Sequence, residues 1–471
     1  MKLCAFGLSV LGLLVALSGC GRRPPGSGSG DPVPDPAEGT PDAGQEEECS
    51  VGEIPQGLTV GEGGRLVVPL SPTGTDVTVE VSQLQPGWTG RIELNPTRLV
   101  ARAAYDVEGN FGLALLARCK DKSAPKGLLV EVHRASWKQV SAWSLSAADA
   151  PAARQMPTLW IDESNPDRML LFGGHLYRPV QWTVTNDVWA LDLNAGKWAE
   201  ISPANTSPMQ ASGQVAPIPG QSAVLLHGGD APDYSFPDDL WRFDYQDSSR
   251  TWTKVTASAP MTVGRLSDGF VYDAPRNRYL SVFGYTETDI SDQVMEFTPN
   301  GSGGGEWKAL VTAGDLGERP DARYGFAYAL DAENERLVVF SGGRTPAAGT
   351  PVNPAQDVWA LELKETPVRW VKLTPAGTQP LGRRNACFAF DSLGQRLIIW
   401  GGTDDAASVR DEVYTLDLDR GAETWHQLKA ANPPPARSSG ASVFDPKRNR
   451  ALFGFGNSGT GIYTDLQALE L

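Results

Sequence analysis

From residue 49 onward the chain is a succession of short apolar runs separated by Gly, Pro, Asn and Asp. Residues 66–70 and 128–132 are examples, and runs of this length with turn residues between them predict β-strands. Over residues 49–134 the turn residues recur at a spacing of about ten, which is typical of a small antiparallel sandwich. The pattern therefore predicts an all-β protein whose first folded part is a small sandwich.

After Trp137 the pattern becomes periodic. One unit contains an Arg, an Asp eight residues later, an apolar run ending in Gly-Gly, an acidic residue opening a second apolar run, and a lone Trp. The unit occurs six times up to Leu471, and in the second copy Met209 and Pro217 occupy the Arg and Asp positions. The other copies carry Arg154 and Asp162, Arg265 and Asp273, Arg323 and Asp331, Arg383 and Asp391, and Arg437 and Asp445.

The remaining markers keep the same order in every unit. A repeat of this length cannot bury its own apolar face, so the units must stack on one another. The Gly pairs are 173–174, 228–229, 342–343 and 401–402, with degenerate copies around Gly284 and Gly456. The acidic residues are Asp187, Asp239, Asp292, Asp357, Glu412 and Asp465. The tryptophans are Trp198, Trp252, Trp307, Trp370 and Trp425.

These markers resemble the kelch motif, whose period is about 50 residues. The resemblance implies one four-stranded propeller blade per copy, with glycines at sharp turns and a Trp between neighbouring sheets. The sixth unit ends at Leu471 without its own Trp, whereas residues 136–140 match the fourth strands around Trp252 and Trp425. We therefore predict a six-bladed kelch β-propeller, closed by residues 136–140 and preceded by an immunoglobulin-like sandwich.

The amino terminus resembles that of bacterial lipoproteins. Lys2 precedes a short apolar stretch that ends in Leu17-Ser18-Gly19-Cys20, which resembles a lipobox. The resemblance implies a signal peptide at 1–19, palmitate or another lipid on Cys20, and, since Gly21 replaces an Asp retention signal, the outer membrane, with the protein facing the periplasm or the surface. Residues 20–48 are rich in Pro, Gly and acids and predict a disordered tether. The sandwich would then cover 49–134 and the propeller 135–471.

Charge and cysteine content narrow the partners. The formal net charge of −15 argues against nucleic acid and anionic membrane surfaces. In an exported protein Cys49 and Cys119 bracket one segment and are candidates for a disulfide, while Cys387, within an apolar run, reads as a buried, inert thiol. We expect a monomer.

The five repeated arginines are the first candidate binding residues. Arg154, Arg265, Arg323, Arg383 and Arg437 each precede the first strand, which in a propeller lines the central channel. Converging guanidinium groups could bind carboxylates or sulfated sugars. The alternative, which we favour, is that they pair with acidic residues of adjoining blades and connect the repeats. The missing Arg of the second unit marks a place for asymmetry.

The loops after the Gly pairs are the second candidate, because their lengths vary. The first contains Tyr177, Arg178 and Trp182, and the second contains Tyr234 and Phe236. Exposed aromatic side chains stack on sugars and anchor protein interfaces. In kelch proteins these loops share one face with the loops between blades, which implies that a protein or glycan partner binds there.

We therefore expect a membrane-anchored, extracytoplasmic binding scaffold rather than an enzyme, with no cofactor and no metal. The alternative is a carbohydrate-active enzyme of the sialic-acid mutarotase type, since mutarotation needs only an acid–base pair beside a sugar. A copper oxidase of the galactose oxidase type is not expected, because the four histidines, His133, His175, His227 and His426, supply no converging pair.

Overall fold

The computed structural model describes residues 48–74, 76–84, 92–145, 147–178, 181–246, 250–259, 261, 263–310, 317–344, 353–459 and 461–471. The amino-terminal part of these residues forms a β-sandwich of two sheets, with strand orders β1-β7-β6-β3 and β2-β5-β4. Its strands are β1 (Gly57–Gly61), β2 (Arg65–Pro69), β3 (Thr78–Leu84), β4 (Ile92–Asn95), β5 (Arg98–Arg102), β6 (Gly109–Arg118) and β7 (Ser123–His133).

The sandwich has its own apolar core between the two sheets. Leu99, Leu115 and Val132 are fully buried within it. A disulfide joins Cys49 to Cys119, with the two Cα atoms 5.9 Å apart, so the pairing expected from the sequence is present.

Most of the remaining described residues form six sheets, each built on four antiparallel strands and here called blades 1 to 6. Blade 1 contains β10 (Thr158–Ile161), β11 (Arg168–Phe172), β14 (Val188–Asp192) and β15 (Lys197–Ile201). Blade 2 contains β16 (Gln214–Pro217), β17 (Ala223–His227), β18 (Leu240–Asp244) and β19 (Thr251–Lys254). Blade 3 contains β20 (Gly269–Asp273), a 3₁₀ turn (Ala274–Arg276), β21 (Arg278–Val282), β22 (Val294–Pro299) and β23 (Gly305–Ala309).

Blades 4 and 5 repeat this arrangement. Blade 4 contains β24 (Ala327–Asp331), β25 (Arg336–Phe340), β26 (Val358–Glu362) and β27 (Arg369–Leu373). Blade 5 contains β29 (Cys387–Asp391), β30 (Arg396–Trp400), β31 (Val413–Asp417) and β32 (Thr424–Leu428), and β28 (Ala376–Gly377) adds to its outer edge. A separate small sheet is formed by β9 (Arg154–Gln155), β12 (His175–Arg178) and β13 (Gln181–Val184).

Blade 6 closes the ring with a strand from the opposite end of the sequence. It contains β33 (Ala441–Asp445), β34 (Arg450–Gly454) and β35 (Asp465–Glu470), and its outer strand is β8 (Ser136–Ala142). Leu469 pairs with Trp137 in this contact. The closure expected from residues 136–140 is therefore confirmed, and both sheet edges that would otherwise be open are paired.

An aromatic contact recurs at every blade boundary. The Trp of each blade's outer strand lies against the side chain that ends, or directly follows, the second strand of the preceding blade. The ring pairs, with their centroid separations, are Phe172–Trp252 at 4.7 Å, His227–Trp307 at 5.1 Å, Phe283–Trp370 at 5.3 Å, Phe340–Trp425 at 4.7 Å, Trp400–Trp137 at 4.8 Å and Phe455–Trp198 at 6.1 Å. The repeated Trp thus packs the sheets against one another, as its position in the motif implies.

The residues after each second strand adopt two successive left-handed conformations. They include both glycines of the pair in three blades, but Phe283, Ser341 and Phe455 take the first position in blades 3, 4 and 6, with φ of 58°, 65° and 62°. In blade 1 a Cβ on Gly173 would lie 2.4 Å from the carbonyl oxygen of Gln210 in blade 2. Glycine is therefore required there both by backbone conformation and by the close approach of the next blade.

The sandwich packs against the propeller. Because adjacent strands are antiparallel, the turns between first and second strands and between third and fourth strands lie at one end of the blades, which we call the turn face. Arg102 of the sandwich reaches two such turns in blade 5, donating to the carbonyl oxygen of Gly394 at 2.8 Å and to Asp419 at 2.9 Å. Tyr105 stacks on His426 with ring centroids 3.8 Å apart and donates to Asp417 at 2.7 Å.

The proposed signal peptide, Cys20 and all of the tether up to residue 47 lie outside the described residues. In the described part, no helix has the length and apolar character needed to cross a bilayer.

Candidate functional site

The opposite end of the blades carries the loops between second and third strands and those between successive blades. We call this end the loop face. All five repeated arginines lie there, and their side chains are buried. Each guanidinium donates to the carbonyl oxygen of the first left-handed residue after its blade's second strand, as Arg154 does to Gly173 at 2.9 Å.

Three of these arginines are hydrogen-bonded to the acidic residue at or directly before the start of their own blade's third strand, and a fourth, Arg383, lies 3.8 Å from the corresponding Glu412. Arg154 bonds Asp187, Arg323 bonds Asp357 and Arg437 bonds Asp465, each at 2.7 Å. Burial alone would raise the pKa of Asp187, but hydrogen bonds from Arg154 outweigh it and hold that pKa below its ordinary value. The expected partners in adjoining blades are therefore wrong, because the acid comes from the same blade.

Neighbouring blades are connected instead by hydrogen bonds to the backbone carbonyl oxygens of these arginines. The second left-handed residue of one blade donates its N–H to the carbonyl oxygen of the next blade's Arg. The bonds run from Gly229 to Arg265 at 2.9 Å, Gly284 to Arg323 at 3.0 Å, Gly342 to Arg383 at 3.1 Å, Gly402 to Arg437 at 2.9 Å and Gly456 to Arg154 at 3.0 Å. This burial and bonding favour a role in building the blades over a role in ligand binding.

In blade 2 the structure shifts the alignment of the repeat unit by one residue. Two residues after each Arg comes a left-handed residue on the channel axis: Met156, Ser267, Gly325, Asn385 and Ser439. In blade 2 that residue is Ser212, so the Arg position is occupied by the buried Gln210, not by Met209, and the Asp position by Ile218, not by Pro217. Unit 2 lacks both markers, which is why the sequence alone could not fix this register.

A second irregularity of the repeat lies in blade 3. The residue directly before β22 is Gln293, whereas the corresponding residue is an acid in each of the other five blades. Asp292 is therefore not the pairing acid, and it lies against Arg319 at 2.6 Å instead. In place of an acid Arg265 has Gln293 Oε1 at 3.4 Å, and its Nε has no hydrogen-bond partner among the described residues.

The boundary of blades 2 and 3 also holds a buried acid and a buried histidine. Asp268 occupies a position that is Pro157, Gly213, Phe326, Ala386 or Gly440 in the other blades. Its carboxyl accepts a hydrogen bond from Ser281 at 2.7 Å and lies 3.4 Å from Nε2 of His227. Among the described residues, neither ring nitrogen of His227 has a hydrogen-bond partner, and the 3.4 Å contact with Asp268 is not a hydrogen bond.

Burial shifts the pKa of both groups towards the neutral form. It raises the pKa of Asp268 to about 7 and lowers the pKa of His227 to about 3, the latter with help from the nearby positive charge of Arg265. Such shifts can mark a functional acid or base. Here, however, neither side chain is exposed to solvent, and the central cavity that Asp268 lines measures only about 90 Å³.

The axial residues form a ring of backbone hydrogen bonds at the centre of the propeller. N–H groups donate to carbonyl oxygens from Ser212 to Met156, Gly325 to Ser267, Asn385 to Gly325, Ser439 to Asn385 and Met156 to Ser439, at 2.7–3.1 Å. A central cavity of about 90 Å³ lies beside this ring, with Tyr328 and Phe388 in its wall. Ligand pockets usually measure about 300–1,000 Å³, so this cavity is too small for a typical small molecule.

The loop face carries most of the exposed large apolar side chains. Of the eight such residues among those described, five lie in its loops, and three of the five flank the positions of the repeated Arg. The five are Leu145, Met209, Tyr234, Val263 and Leu381. Only Tyr234, which is 65% exposed, is expected from the sequence; the other four lie in loops between blades that carry no aromatic signal.

Phe236 belongs to a row of aromatic rings across blades 2 to 4. Its ring centroid lies 5.9 Å from that of Tyr285, which lies 5.5 Å from that of Tyr324. Tyr324 accepts a hydrogen bond from Arg384 at 3.2 Å. Acidic side chains in the same sector, Asp233, Asp238, Glu287 and Asp289, are exposed.

Tyr177, Arg178 and Trp182 lie in the hairpin of β12 and β13, where Tyr177 pairs with Trp182. Their side chains lie outside the described part of the chain. The base of this hairpin contacts blade 2, since His175 Nε2 lies 3.0 Å from Asp230.

The other candidate chemical groups are dispersed. His133 is exposed on the sandwich, His227 is buried, and His426 lies at the sandwich contact. Cys387 is a free, buried thiol whose pKa burial raises to about 11, as its apolar surroundings predict. In the described residues no three His, Cys, Asp or Glu side chains are grouped so that they could hold a metal ion.

A second recurring ion pair was not expected from the sequence. Each repeated Asp pairs on the turn face with an Arg at the start of its blade's second strand, and the signal was an Arg five or six residues after the Asp. The pairs are Asp162–Arg168 at 2.6 Å, Asp273–Arg278 at 2.8 Å, Asp331–Arg336 at 2.8 Å, Asp391–Arg396 at 2.9 Å and Asp445–Arg450 at 3.0 Å.

Comparison with known proteins agrees with this architecture. Residues 276–471 match the family model of the KLHDC2/KLHL20/DRC7 kelch-repeats domain, and residues 122–302 match that of the Attractin/LZTR1 beta-propeller.

Among curated proteins, adagio-like protein 1 of Oryza sativa subsp. japonica is 22% identical over 325 residues, covering 65% of this chain and 48% of that protein. Acyl-CoA-binding domain-containing protein 5 of Arabidopsis thaliana is 32% identical over 103 residues, 22% of this chain and 15% of that protein. The chain thus spans about half or less of the length of these relatives.

Among solved structures, that of YjhT aligns with a TM-score of 0.48 and 13% identity, covering 73% of this chain and 98% of that one. From the repeats, the six closed blades and the matched family models, the chain contains a kelch-repeat β-propeller.

Proposed function

We propose that this protein is a lipid-anchored, extracytoplasmic interaction scaffold that binds a protein partner through the loop face of its propeller. The observation that carries the proposal is that five of the eight exposed large apolar side chains among the described residues lie in the loops of that face. Exposed apolar side chains can anchor a protein partner, and aromatic anchors such as Tyr234 often dominate the binding energy.

The position of the sandwich on the turn face supports binding at the loop face. It contacts part of the turn face through Arg102 and Tyr105, which is the end of the blades opposite to the loop face. A lipid on Cys20 would tether the chain through the segment that precedes the sandwich. We propose that a partner reaches the loop face at the end of the blades opposite to the sandwich.

The mutarotase-type enzyme is less well supported. It requires an acid–base pair facing a cavity that can hold a sugar. Asp268 is a buried carboxyl near an Arg, as such an enzyme would need. However, its side chain is not exposed, and the central cavity measures about 90 Å³. We therefore propose binding, not turnover, as the function of the loop face.

Site-specific photocrosslinking in cells tests the proposal. A photoreactive amino acid replaces Tyr234 on the loop face or, as the matched control, Leu393, which is 47% exposed in a turn-face loop of blade 5. We expect a discrete protein adduct from position 234 and none of that mass from position 393. The same adducts from both positions, or no adduct from position 234, would contradict the proposal.

A further inference from the structure

Three segments of blades 2 and 3 meet on the loop face. The main-chain N–H of Phe236, in the blade 2 loop, donates to Glu287 Oε1 in the blade 3 loop at 3.2 Å. The ring centroids of Phe236 and Tyr285 lie 5.9 Å apart. The connection between the two blades joins them, because Gly264 packs so closely against the backbone of Phe236 that no Cβ would fit. These contacts hold the three segments side by side.

The joined segments present apolar side chains to solvent. Tyr234 is 65% exposed and Val263 is 43% exposed, while Phe236 and Tyr285 are half-buried. We call these four residues the blade 2–3 patch. Tyr234 has a φ of 64°, a conformation in which a bulky side chain is uncommon, so local backbone preference does not account for a tyrosine there.

The same loops carry four exposed acidic side chains: Asp233, Asp238, Glu287 and Asp289. Among the described residues, none of the four forms an ion pair, whereas Asp239 pairs with Lys254 at 2.5 Å. Asp292 likewise pairs with Arg319 at 2.6 Å. Arg265 of the connecting segment is buried and supplies one positive charge against these four. The surroundings of the blade 2–3 patch are therefore negatively charged, and the chain does not neutralise them.

The arrangement of these carboxyl groups limits what can bind there. In the part of the chain that the structure describes, no three His, Cys, Asp or Glu side chains are grouped so that they could hold a metal ion. A second copy of this chain would bring a net charge of −15 to an already negative surface and would be repelled. An extended polypeptide segment with several positive charges matches both the spacing of the carboxyl groups and their sign.

Lysine and arginine side chains can use both features of this surface. Their charged ends form charge-assisted hydrogen bonds with carboxylates and lie favourably over the face of a tyrosine ring such as that of Tyr234. Their apolar stems can cover apolar surface such as that of Val263. A surface that combines an exposed Tyr with unpaired carboxylates therefore suits such side chains better than acidic or purely apolar ones.

We propose that the blade 2–3 patch and the four acidic side chains bind a segment of the partner protein that is rich in Lys and Arg. This inference rests on the proposed function, since it names the chemistry of the partner that the loop face binds. Because the charges are exposed, the association should weaken as the salt concentration rises.

The first test is made in cells, with a photoreactive amino acid at Val263 so that Tyr234 stays in place. The double variant Asp238→Asn/Asp289→Asn removes two of the four charges. The matched control Asp405→Asn/Asp411→Asn removes two exposed acids from the blade 5 loop of the same face. We expect the yield of the Val263 adduct to fall about fivefold or more in the first variant and less than about twofold in the control. The thermal midpoint of each purified protein shows whether the chain remains folded.

A second test measures the preferred sign of charge directly. The full chain, purified in a non-ionic detergent, is titrated into two fluorescein-labelled peptides, one alternating Arg with Gly and the other alternating Glu with Gly. Fluorescence anisotropy should show binding of the Arg peptide in low salt, little in high salt, and none of the Glu peptide. Asp238→Asn/Asp289→Asn should weaken binding of the Arg peptide about fivefold or more, and the control variant should not.

The outcomes separate this inference from the proposed function. An undiminished Val263 adduct in Asp238→Asn/Asp289→Asn, equal losses in the two double variants, or binding of the Arg peptide that ignores both would overturn the cationic partner. In those cases the loop face would still be a binding surface. Absence of any adduct from positions 234 and 263 would overturn the inference and the proposed function together.

Discussion

Replacing Asp268 by Asn should make the protein more stable at neutral and alkaline pH. In the folded protein burial raises the pKa of Asp268 to about 7, whereas the ordinary value is 3.8. Between these values the folded protein retains a proton that the unfolded chain has lost, so the stability from this group is present below pH 4 and is lost as pH rises to 7. At about 1.4 kcal/mol per pH unit, the loss is about 4 kcal/mol.

His227 has the opposite effect. Burial lowers its pKa to about 3, from an ordinary value of 6.5. The unfolded chain therefore binds a proton below pH 6.5 that the folded protein excludes, and stability falls as pH drops towards 3, by about 5 kcal/mol in all. Between pH 4 and 6.5 the two dependences have opposite signs, so their sum is nearly flat in the unmodified protein.

Separate variants expose the two dependences. Asp268→Asn can keep the hydrogen bond from Ser281, and His227→Phe introduces the side chain that blade 1 has at this position, Phe172. Relative to the unmodified protein, the Asn variant should gain about 4 kcal/mol between pH 4 and 8, and the Phe variant should gain about 3 kcal/mol between pH 6.5 and 4.

Urea unfolding followed by tryptophan fluorescence at pH 4, 5, 6.5 and 8 measures these differences. Using differences from the unmodified protein removes the contribution of all other titrating groups, and the double variant is the control, since both opposing dependences are absent from it. A stability difference for Asp268→Asn that stays constant from pH 4 to 8 would refute the assignment of a buried, neutral carboxyl.

Three further predictions concern the anchor, the sandwich contact and blade 3. Cys20→Ser should move the protein from the membrane to the soluble fraction and abolish palmitate labelling; labelled protein in the variant would exclude Cys20 as the lipid site. Arg102→Ala removes a cation that is bonded to Asp419 and lies 3.4 Å from the buried Asp417, so it should lower the free energy of unfolding by about 3–5 kcal/mol. The control Arg98→Ala, at an exposed ion pair, should lower it by less than about 1 kcal/mol. Equal losses in the two variants would contradict the contact between sandwich and propeller. Gln293→Asp should give Arg265 an acidic partner, as Asp357 is for Arg323. The free energy of unfolding in urea at pH 8 should then rise by about 2 kcal/mol. An unchanged value would show that Arg265 is already satisfied.

The global architecture could be predicted because its determinants are local and repeated. Each unit carries its own glycines and Trp, and residues 136–140 resemble the other outer strands closely enough to place them in blade 6, where Leu469 pairs with Trp137. A chain in which local signals agree across six copies leaves little choice of fold.

The sequence was insufficient where a unit loses its markers or where unlike segments meet. Unit 2 carries neither Arg nor Asp, so Gln210 and Ile218 could be aligned only through the left-handed residue Ser212. The stacking of Tyr105 on His426 joins a segment without repeats to one with them, and no periodicity reports such a contact. Exposure of Leu145 and Leu381 likewise depends on how the loops lie against the blades.

The variant Tyr234→Asn tests the central claim most directly. Tyr234 is exposed and has a φ of 64°, a conformation that Asn adopts more readily than Tyr, so the variant should be at least as stable as the unmodified protein. A photocrosslinker at Val263, which adjoins the loop that contains Phe236 because Gly264 packs against that residue's backbone, reports on the bound partner.

The measurement is the yield of the Val263 adduct in cells, with and without Tyr234→Asn, beside the thermal midpoint of each purified protein. If the loop face binds a partner, the substitution should reduce the adduct about tenfold or more with no fall in the midpoint. An undiminished adduct in a stable variant, or no adduct from either protein, would contradict the account.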